Sequence, residues 1–330
     1  MEIIAGDIGG TKSWLAWVSV KKGGEQQLRF ERVYASKTFP DAESLLRRFM
    51  QDAGSPIAAD GLSLALPGAI SGQRVKLTNL DWMLDASSLG ASLGIADVSF
   101  FNDFQAAAVG VSTLSELDYV VLNAHPVEAG AVQAITGAGT GLGLSWMLGD
   151  ARGNTRIFAT EAGHIDFAPA NEQQSRLLDF LHRAFAHVSW ERILSGPGIN
   201  RVYRFCLQEL TGGVPPGTEA IDAARVGALA QQGDKAAVAA MELFTDVYGA
   251  WVGNVALLYQ PRGGLYIAGG VATHILSWVQ SERFLRACFD KGRMSEQVRR
   301  TPLFLITNKR LGLQGAIQAA TNRTSTRSDA

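Results

Sequence analysis

The first dozen residues hold the side chains best suited to chemistry. An apolar strand pattern runs into Asp7-Ile8-Gly9-Gly10-Thr11-Lys12, and a second strand pattern, residues 14–20, follows directly. The two adjacent glycines permit a sharp turn and a close approach to a ligand. Successive backbone N–H groups in such a turn form an anion-binding concavity; the threonine adds a hydroxyl, and the aspartate adds a carboxylate for a metal ion or its water. The pattern predicts a phosphate-binding hairpin, with an ordinary tight hairpin as the alternative.

Two other phosphate-binding motifs do not fit this turn. Residues 6–13 lack the second glycine of a Walker A loop, because Thr11 takes its place. A Walker loop also leads into a helix, whereas residues 14–20 have the β-branched and aromatic composition of a strand. The dinucleotide pattern G-x-G-x-x-G is absent, so Glu31, near the position of a ribose-binding acid, has little significance by itself.

Composition and charge limit the class of protein. The 330-residue chain is long for one core, which predicts two domains. It is 47% apolar and 18% charged with a net charge of -1, which argues against a nucleic-acid or membrane partner. Cys206 and Cys288 offer no disulfide framework and no zinc spacing, so a cytoplasmic location is expected. Because a strand pattern begins at residue 2, we expect no signal peptide and no N-terminal DNA-binding helix pair.

One uncharged segment, residues 129–149, is long enough to cross a bilayer. Its six glycines, a glutamine and two threonines are unlike the Leu-rich composition of a spanning helix. No membrane span is therefore expected.

Strand and helix patterns alternate along the chain, which predicts a largely parallel α/β sheet. Strand patterns occupy residues 28–36, 61–66, 75–82, 98–101, 119–122, 131–135, 144–148, 264–268 and 303–306. Helical patterns occupy residues 41–52, 104–111, 172–185, 198–210, 221–231, 234–259 and 312–320, and a polar, frayed tail is expected from residue 321. A second strand–glycine turn–strand unit at 131–148 and a strand ending in Gly269-Gly270 repeat the opening pattern and suggest two similar lobes.

Seven short motifs resemble the sugar kinase, actin and Hsp70 superfamily and, more specifically, bacterial glucokinases outside the ROK (repressor and kinase) group. In chain order they are residues 6–11, 77–82, 102–104, 137–143, 161–169, 191–198 and 267–270. The chain departs from that group at Lys12, where Asn is usual, and at Ala162, where Gly is usual. The cysteine-rich zinc motif of ROK kinases is missing.

The resemblance implies an α/β, two-lobed actin-like ATPase (ribonuclease H-like) fold of the sugar kinase type, with its active site in the interlobe cleft. The small lobe is expected at 1–112, with a C-terminal helix at about 311–322 packing back onto it. The large lobe is expected at 113–310, and residues 323–330 form the frayed tail. The implied activity is ATP- and Mg²⁺-dependent phosphorylation of glucose to glucose 6-phosphate in glycolysis, by a cytoplasmic homodimer.

Asp103 is the candidate general base. It follows a strand pattern and opens a helix, the place where α/β folds bind ligands. A carboxylate there can accept the proton of a substrate hydroxyl as the hydroxyl attacks the γ-phosphate. A helix N-cap role for Asn102 or Asp103 is the alternative, and both roles are compatible.

The resemblance assigns the remaining site residues. It places Asn102, Asp103, Glu161, His164 and Glu191 on glucose, whose hydroxyls need fixed, charged hydrogen-bond partners. It assigns to ATP binding the residues Gly6, Asp7, Ile8, Gly9, Gly10, Thr11, Gly139, Thr140, Gly269 and Gly270. Asp7 is expected to contact the metal indirectly, through water or phosphate. The helix after Gly270 is expected to add a favourable dipole.

Several alternatives stay open from the sequence. Taken alone, Glu191 is typical of a solvated helix, and Asp166 is either structural or functional. A metal-binding Glu161-x-x-His164 pair on a helix is disfavoured by Gly163 and by the proline that follows. The rival functions are a kinase for another hexose or amino sugar, a catalytically silent sugar-sensing regulator, and an actin-like ATPase. The phosphoryl donor could also be ADP or polyphosphate.

Overall fold

The chain folds into two units, one formed by Met1–Ser115 with Asn308–Ala330 and the other by Glu116–Thr307. The computed structural model describes residues 1–21, 23–54, 57–68, 70–149 and 155–328. Each unit has its own sheet and its own hydrophobic core.

The first unit is built on a mixed five-stranded sheet. Its strands are β1 (Glu2–Ile8), β2 (Lys12–Val20), β3 (Gln26–Ala35), β4 (Gly61–Leu66) and β8 (Asp97–Asn102), and their order across the sheet is β3-β2-β1-β4-β8. β1, β4 and β8 run parallel, with Asp7 beside Ala65 and Leu66 beside Asn102. The carboxyl ends of these strands therefore share one edge, where open α/β sheets bind their ligands.

Helices cover both faces of this sheet. α1 (Ala42–Asp52) begins at Asp41, whose side chain accepts a hydrogen bond from Ser44 N, and buries Leu45 and Phe49 in the core on one face. α3 (Asp103–Val111) and α12 (Leu311–Ser328) lie on the opposite face, through Ala106, Leu313 and other small and aliphatic side chains. The remaining elements are α2 (Ala86–Leu93) and a small sheet of β5 (Ile70–Ser71), β6 (Arg74–Lys76) and β7 (Met83–Asp85).

The second unit repeats the opening hairpin within a six-stranded sheet. Its strands are β9 (Tyr119–Asn123), β10 (Gln133–Ala138), β11 (Leu142–Gly149), β12 (Thr155–Thr160), β13 (Leu265–Ala268) and β14 (Leu303–Ile306), in the order β12-β11-β10-β13-β14-β9. Its helices are α4 (Glu172–His182), α5 (Gly196–Thr211), α6 (Ala223–Gln231), α7 (Lys235–Tyr259), α8 (Gly270–His274), α9 (Leu276–Val279), α10 (Glu282–Phe289) and α11 (Ser295–Arg299).

The long helix α7 forms the centre of the second core and ties it to the glycine-rich hairpin. Trp251, fully buried, donates its indole N–H to Thr136 Oγ1 at 2.9 Å. Ala138 N donates to the hydroxyl of buried Tyr248 at 3.3 Å. Polar groups of β10 that face α7 are thus paired, as burial requires.

Both main sheets are mixed, with antiparallel pairs along β1–β2–β3 and β10–β11–β12, so the prediction of a largely parallel sheet is wrong. Two local predictions also differ from the structure. The extended stretch predicted at 75–82 is mostly the connection between β6 and β7, closed by a hydrogen bond from Leu77 N to Trp82 O at 3.0 Å. The tail predicted to fray from residue 321 continues α12 as far as Ser328. Near the start of this stretch, Thr321 Oγ1 donates to Ile317 O. The end of that tail, 329–330, lies outside the described residues. None of the helices in the described part of the chain is long and apolar enough to span a membrane.

Candidate functional site

The turn between β1 and β2 is tightly closed and leaves its tip open. Gly9 N donates to Lys12 O at 2.9 Å, and Ser36 braces the turn from outside by donating its hydroxyl to Gly9 O at 2.6 Å. Thr11 and Lys12 are exposed. A Cβ on Gly10 would lie 2.5 Å from Asn79 Cβ, so this position excludes any side chain. The predicted hairpin is therefore present, and Asn79 explains one of its glycines.

Asp7 and Asp103 come together at the carboxyl edge of the first sheet. Asp7 is half-buried at the end of β1, and Asp103 is half-buried at the start of α3. Loss of hydration on burial, together with the negative charge of Asp103, raises the pKa of Asp7 to about 6. A pair of neighbouring carboxylates with one raised pKa is typical of a site that binds a cation or transfers a proton.

The start of α3 is capped by its neighbours, so the capping alternative is correct for Asn102. Asn102 Oδ1 accepts from Phe104 N at 3.0 Å, and Gln105 Oε1 accepts from Asn102 N at 3.1 Å. The Asn102 amide also donates to Gly68 O at 3.3 Å. Asp103 Oδ1 accepts from Phe104 N at 2.8 Å. The cap fixes Asp103 at the edge shared with Asp7, which leaves its proposed role as a base available.

A further residue of this region, Gly312 in the first turn of α12, was missed by the sequence analysis. A Cβ on Gly312 would lie 2.5 Å from Asp7 Oδ2, so the helix start touches the carboxylate directly. The N-terminus of a helix favours a negative charge. No local signal connects two residues so far apart in sequence.

The second glycine turn, between β10 and β11, is held by Glu191. Gly139 N donates to Gly141 O at 2.8 Å, and Leu142 N donates to Glu191 Oε2 at 2.9 Å. A Cβ on Gly141 would clash with the same carboxylate oxygen. Glu191 is half-buried in a 3₁₀ turn, Trp190–Arg192, rather than on a solvated helix. The structure thus shows that Glu191, a predicted sugar-binding residue, contacts the predicted phosphate-binding turn.

Glu161 and His164 lie on a neighbouring 3₁₀ turn, Ala162–His164, and not on an α-helix. The turn packs against the start of β11, since a Cβ on Gly163 would clash with Leu142 O. The two side chains are largely exposed, at 79% and 59%, with His164 Nε2 only 3.9 Å from Glu161 Oε2. They border the segment that carries Glu191 and remain accessible to a ligand.

Asp166, whose role the sequence left open, pairs with the same segment. Asp166 forms an isolated β-bridge with Ser189, and its Oδ1 lies 2.8 Å from His187 Nε2. Phe167 N donates to Val188 O at 2.9 Å. The bridge and the Phe167 bond hold the loop 161–169 through the backbone, while the Asp166 side chain itself is largely exposed, so its role stays open.

The third glycine-containing segment, Gly269–Gly270, adjoins the turn between β10 and β11. Gly269 has φ 95°, and a Cβ there would lie 2.5 Å from Ala138 O, so glycine is required for two reasons. Gly270 opens α8, which is only five residues long. The helix predicted after Gly270 is therefore present, and the favourable dipole at its start stays a prediction.

The structure brings the predicted residues together in two groups. Asp7, Asn102 and Asp103 share the carboxyl edge of the first unit, beside the turn that carries Gly9, Gly10 and Thr11. In the second unit, Gly139, Thr140, Glu161, His164, Glu191, Gly269 and Gly270 surround or adjoin the turn that ends at Leu142. Within the described ranges, no group of three or more His, Cys, Asp or Glu side chains is arranged to hold a metal ion.

Comparison with known proteins identifies the family. A family model described as glucokinase matches residues 4–323. The chain belongs to the glucokinase family. Relatives named glucokinase from Synechocystis sp. and Nostoc sp. are 37% and 36% identical, over 97% and 96% of this chain and 98% of each relative. The glucokinase of Escherichia fergusonii is 31% identical over 95% of both chains. The resemblance drawn from seven motifs, and the enzyme class of a hexokinase-type phosphotransferase, are confirmed.

Solved structures that resemble this chain confirm the predicted α/β, actin-like ATPase fold of the sugar kinase type. Glucokinase from an Antarctic psychrotroph is 28% identical with a TM-score of 0.84, covering 97% of this chain and 99% of that one. A Balamuthia mandrillaris glucokinase in complex with glucose has a TM-score of 0.80 at 22% identity, covering 98% and 93%. A Streptomyces griseus ROK glucokinase in complex with glucose and AMPPNP has a TM-score of 0.61 at 21% identity, covering 97% and 99%.

Proposed function

We propose that this chain transfers the γ-phosphoryl group of ATP to the 6-hydroxyl of glucose, giving glucose 6-phosphate and ADP. Family membership supports the reaction class. The observation that carries the proposal is the placement of Asp103: it opens α3 at the carboxyl edge of the sheet, next to Asp7. A base at such an edge can reach a bound hydroxyl while the helix holds it in place.

In the proposed reaction, Asp103 accepts the proton of the 6-hydroxyl as the hydroxyl oxygen attacks the γ-phosphorus. The bond from that phosphorus to the β,γ-bridging oxygen breaks, and ADP leaves. Phosphoryl transfer of this kind needs positioning and charge stabilisation rather than covalent work by the protein. The capped helix start, with Asn102 and Gln105 hydrogen-bonded to each other, supplies positioning for Asp103.

The carboxylates fit a magnesium ion. Mg²⁺ is usually held by one or two carboxylates together with substrate phosphates and water. Burial first and the charge of Asp103 second raise the pKa of Asp7, and a nearby cation would offset both by favouring the ionised carboxylate. We assign Asp7 to the ion through water or phosphate. The bound ion would neutralise charge on the transferred phosphoryl group.

We assign glucose to Asn102 and Asp103 from the first unit and to Glu161, His164 and Glu191 from the second. Carboxylates and an imidazole offer charged or directional partners for several hydroxyls. Glu191 already uses Oε2 to accept from Leu142 N, so Oε1 is the atom available for a sugar hydroxyl. The glucokinase of Balamuthia mandrillaris, which shares this fold, was solved with glucose.

We assign the nucleotide to the three glycine turns. In this assignment the segment Gly6, Asp7, Ile8, Gly9, Gly10 and Thr11 binds the nucleotide, with Gly6 and Ile8 buried beneath the turn. Gly139 and Thr140 contact the β- and γ-phosphates, and Gly269 and Gly270 lie near adenosine. Thr140 is exposed at the tip of its turn, and a Cβ on Gly139 would meet no atom within 4 Å. The open space beside Gly139, in a turn whose other glycines are tightly packed, supports the assignment of a phosphate to this turn.

We further propose that the protein acts in glycolysis as a cytoplasmic homodimer, as the family resemblance implies.

Cys206 and Cys288 are both buried free thiols, and burial raises the pKa of each to about 12. Both thiols therefore stay protonated at neutral pH and fit a purely structural role.

The test is product formation by purified protein with Mg²⁺, using ATP, ADP or polyphosphate as donor and a panel of glucose, mannose, fructose and glucosamine. We expect the highest kcat/KM for glucose with ATP. A higher kcat/KM for another sugar would assign the same chemistry to that sugar. Sugar binding without product in any combination would support the silent regulator and contradict the proposal.

A further inference from the structure

Glu31, which the sequence places near the position of a ribose-binding acid, has a different partner in the structure. It lies on β3, opposite Ala16 of β2. Its carboxylate is ion-paired with the guanidinium of Arg310, and its Oε1 accepts from Trp14 Nε1 at 2.7 Å. The Glu31 side chain is only 20% exposed, so the pair is partly shielded from water and from salt.

Arg310 immediately precedes α12 and is held on three sides. Its guanidinium lies 5.7 Å from the centre of the Trp14 ring, in cation–π range. Its backbone N donates to Asn308 Oδ1 at 2.8 Å, and its carbonyl accepts the first hydrogen bond of the helix, from Gln314 N at 2.8 Å. Fixing Arg310 therefore fixes where α12 begins.

These contacts close a ring around Asp7. Trp14 is the residue directly opposite Asp7 in the β1–β2 hairpin, so the two side chains share one face of the sheet. Two residues after Arg310, Gly312 touches the Asp7 carboxylate. The ring thus runs from Asp7 through Trp14, Glu31, Arg310 and Gly312 back to Asp7.

We infer that Glu31 and Arg310 are positioning residues for phosphoryl transfer. Their ion pair holds the start of α12 against Asp7, and this contact fixes the Asp7 carboxylate beside Asp103. This inference rests on the proposed function for its kinetic consequence. Neither residue touches a reacting atom. Their effect is on geometry, and small displacements of catalytic groups reduce turnover strongly.

The test compares Glu31→Gln with Glu25→Gln. In Glu31→Gln the amide oxygen can still accept from Trp14 Nε1, while an NH2 group replaces the oxygen that pairs with Arg310, which removes both the charge and the acceptor of that ion pair. Glu25 lies between the same two strands, β2 and β3, and pairs with Lys21 at 2.9 Å in an exposed position, so its substitution is a matched control. We expect Glu31→Gln to lower kcat by on the order of 10-fold to 100-fold, with KM for glucose within about twofold of wild type. Glu25→Gln should leave both constants unchanged.

Two further measurements separate positioning from folding. Arg310→Lys keeps the charge and should retain more activity than Glu31→Gln. Hydrogen exchange of the backbone at 311–315, measured without substrate, should be about threefold or more faster in Glu31→Gln, because the helix start opens more often, while exchange in α7 stays as in wild type. Wild-type kcat and wild-type exchange in Glu31→Gln would overturn the inference. If the wild-type protein forms no glucose 6-phosphate, the proposed function fails, and the exchange measurement alone decides whether the ion pair holds α12.

Discussion

The two units hold their polar site residues in contrasting ways. In the first, Asp7 and Asp103 are half-buried, close enough to raise the pKa of Asp7, and packed against a glycine of α12. In the second, Glu161 and His164 are largely exposed and barely touch each other. Glu191, fixed by Leu142 N, is intermediate. Under the proposed function, the first unit is arranged before substrate binds, at an electrostatic cost, and we expect the exposed residues of the second unit to gain their hydrogen-bond partners from the sugar.

The strongest way to break this comparison is Asp103→Asn. If Asp103 is the base, kcat should fall by about 10²-fold to 10⁴-fold, because the amide cannot accept the proton. Asn102 remains the N-cap of α3, and the amide has nearly the same size as the carboxylate, so the fold and glucose binding should stay close to wild type. Steady-state rates and calorimetric titration with glucose measure the two effects. Turnover at the wild-type rate would remove Asp103 from its role.

A second prediction separates Glu191 from Glu161. Glu191→Gln removes a charged acceptor that holds the second glycine turn through Leu142 N and that we assign to the sugar. We expect kcat/KM for glucose to fall by about 10-fold to 100-fold, the range for a lost charged hydrogen bond, and KM for ATP to rise as well. Glu161→Gln should affect the glucose constants alone. Equal effects of the two substitutions on ATP would show that the contact with Leu142 has no bearing on the nucleotide.

A third prediction concerns stability and pH. Asp7 has a native pKa of about 6 against 3.8 for the ordinary side chain. At pH 8 it is ionised in both the native and unfolded states, and ionisation is less favourable in the native one. Asp7→Asn should therefore raise the free energy of unfolding at pH 8 by about 1–3 kcal/mol. The gain should shrink as pH falls below 6 and vanish below about pH 4, where both states are protonated. Activity should be lost in the same variant.

Denaturant unfolding without nucleotide or Mg²⁺ measures this effect, and Asp85→Asn provides a control of opposite sign. The Arg74 guanidinium and Ser88 N hold the pKa of Asp85 down to about 2. Its substitution should therefore lower stability at pH 8, with the loss shrinking as the pH falls from 4 towards 2. A loss of stability in Asp7→Asn at pH 8 would contradict the view that the first unit holds its carboxylates at an electrostatic cost.

The smallest effect is expected at His164. Its 3.9 Å contact with Glu161 is exposed and contributes little to stability. His164→Gln should leave the unfolding free energy within about 0.5 kcal/mol of wild type. It should lower kcat/KM for glucose by about twofold to tenfold, the loss of one neutral hydrogen bond. A large loss of stability would show that His164 is held by the protein and not by the ligand.

Much of the local structure was predictable from the sequence. Alternating apolar residues around Gly9 and Gly10 predicted the β1–β2 hairpin, and the Asn102–Asp103 pair before an apolar run predicted the start of α3. These signals act over a few residues, so they can be seen in one sequence.

Other features depend on contacts between distant segments. Gly312 against Asp7, Arg310 with Glu31, and Glu191 with Leu142 join residues that no local pattern connects. The length of α8 was also hidden, because Gly270-Val271-Ala272 reads like the start of an ordinary helix. The motif resemblance supplied Glu191, whose own neighbourhood predicts only a solvated helix.

The most direct test of the central claim is the fate of the γ-phosphoryl group. Purified protein with ATP and Mg²⁺ can be followed by ³¹P NMR with and without glucose. We expect ADP and a sugar phosphate carrying the phosphoryl group on the 6-hydroxyl to form together, at equal rates and only when glucose is present. Release of inorganic phosphate at the same rate with or without glucose would contradict it and favour an ATPase without a sugar acceptor.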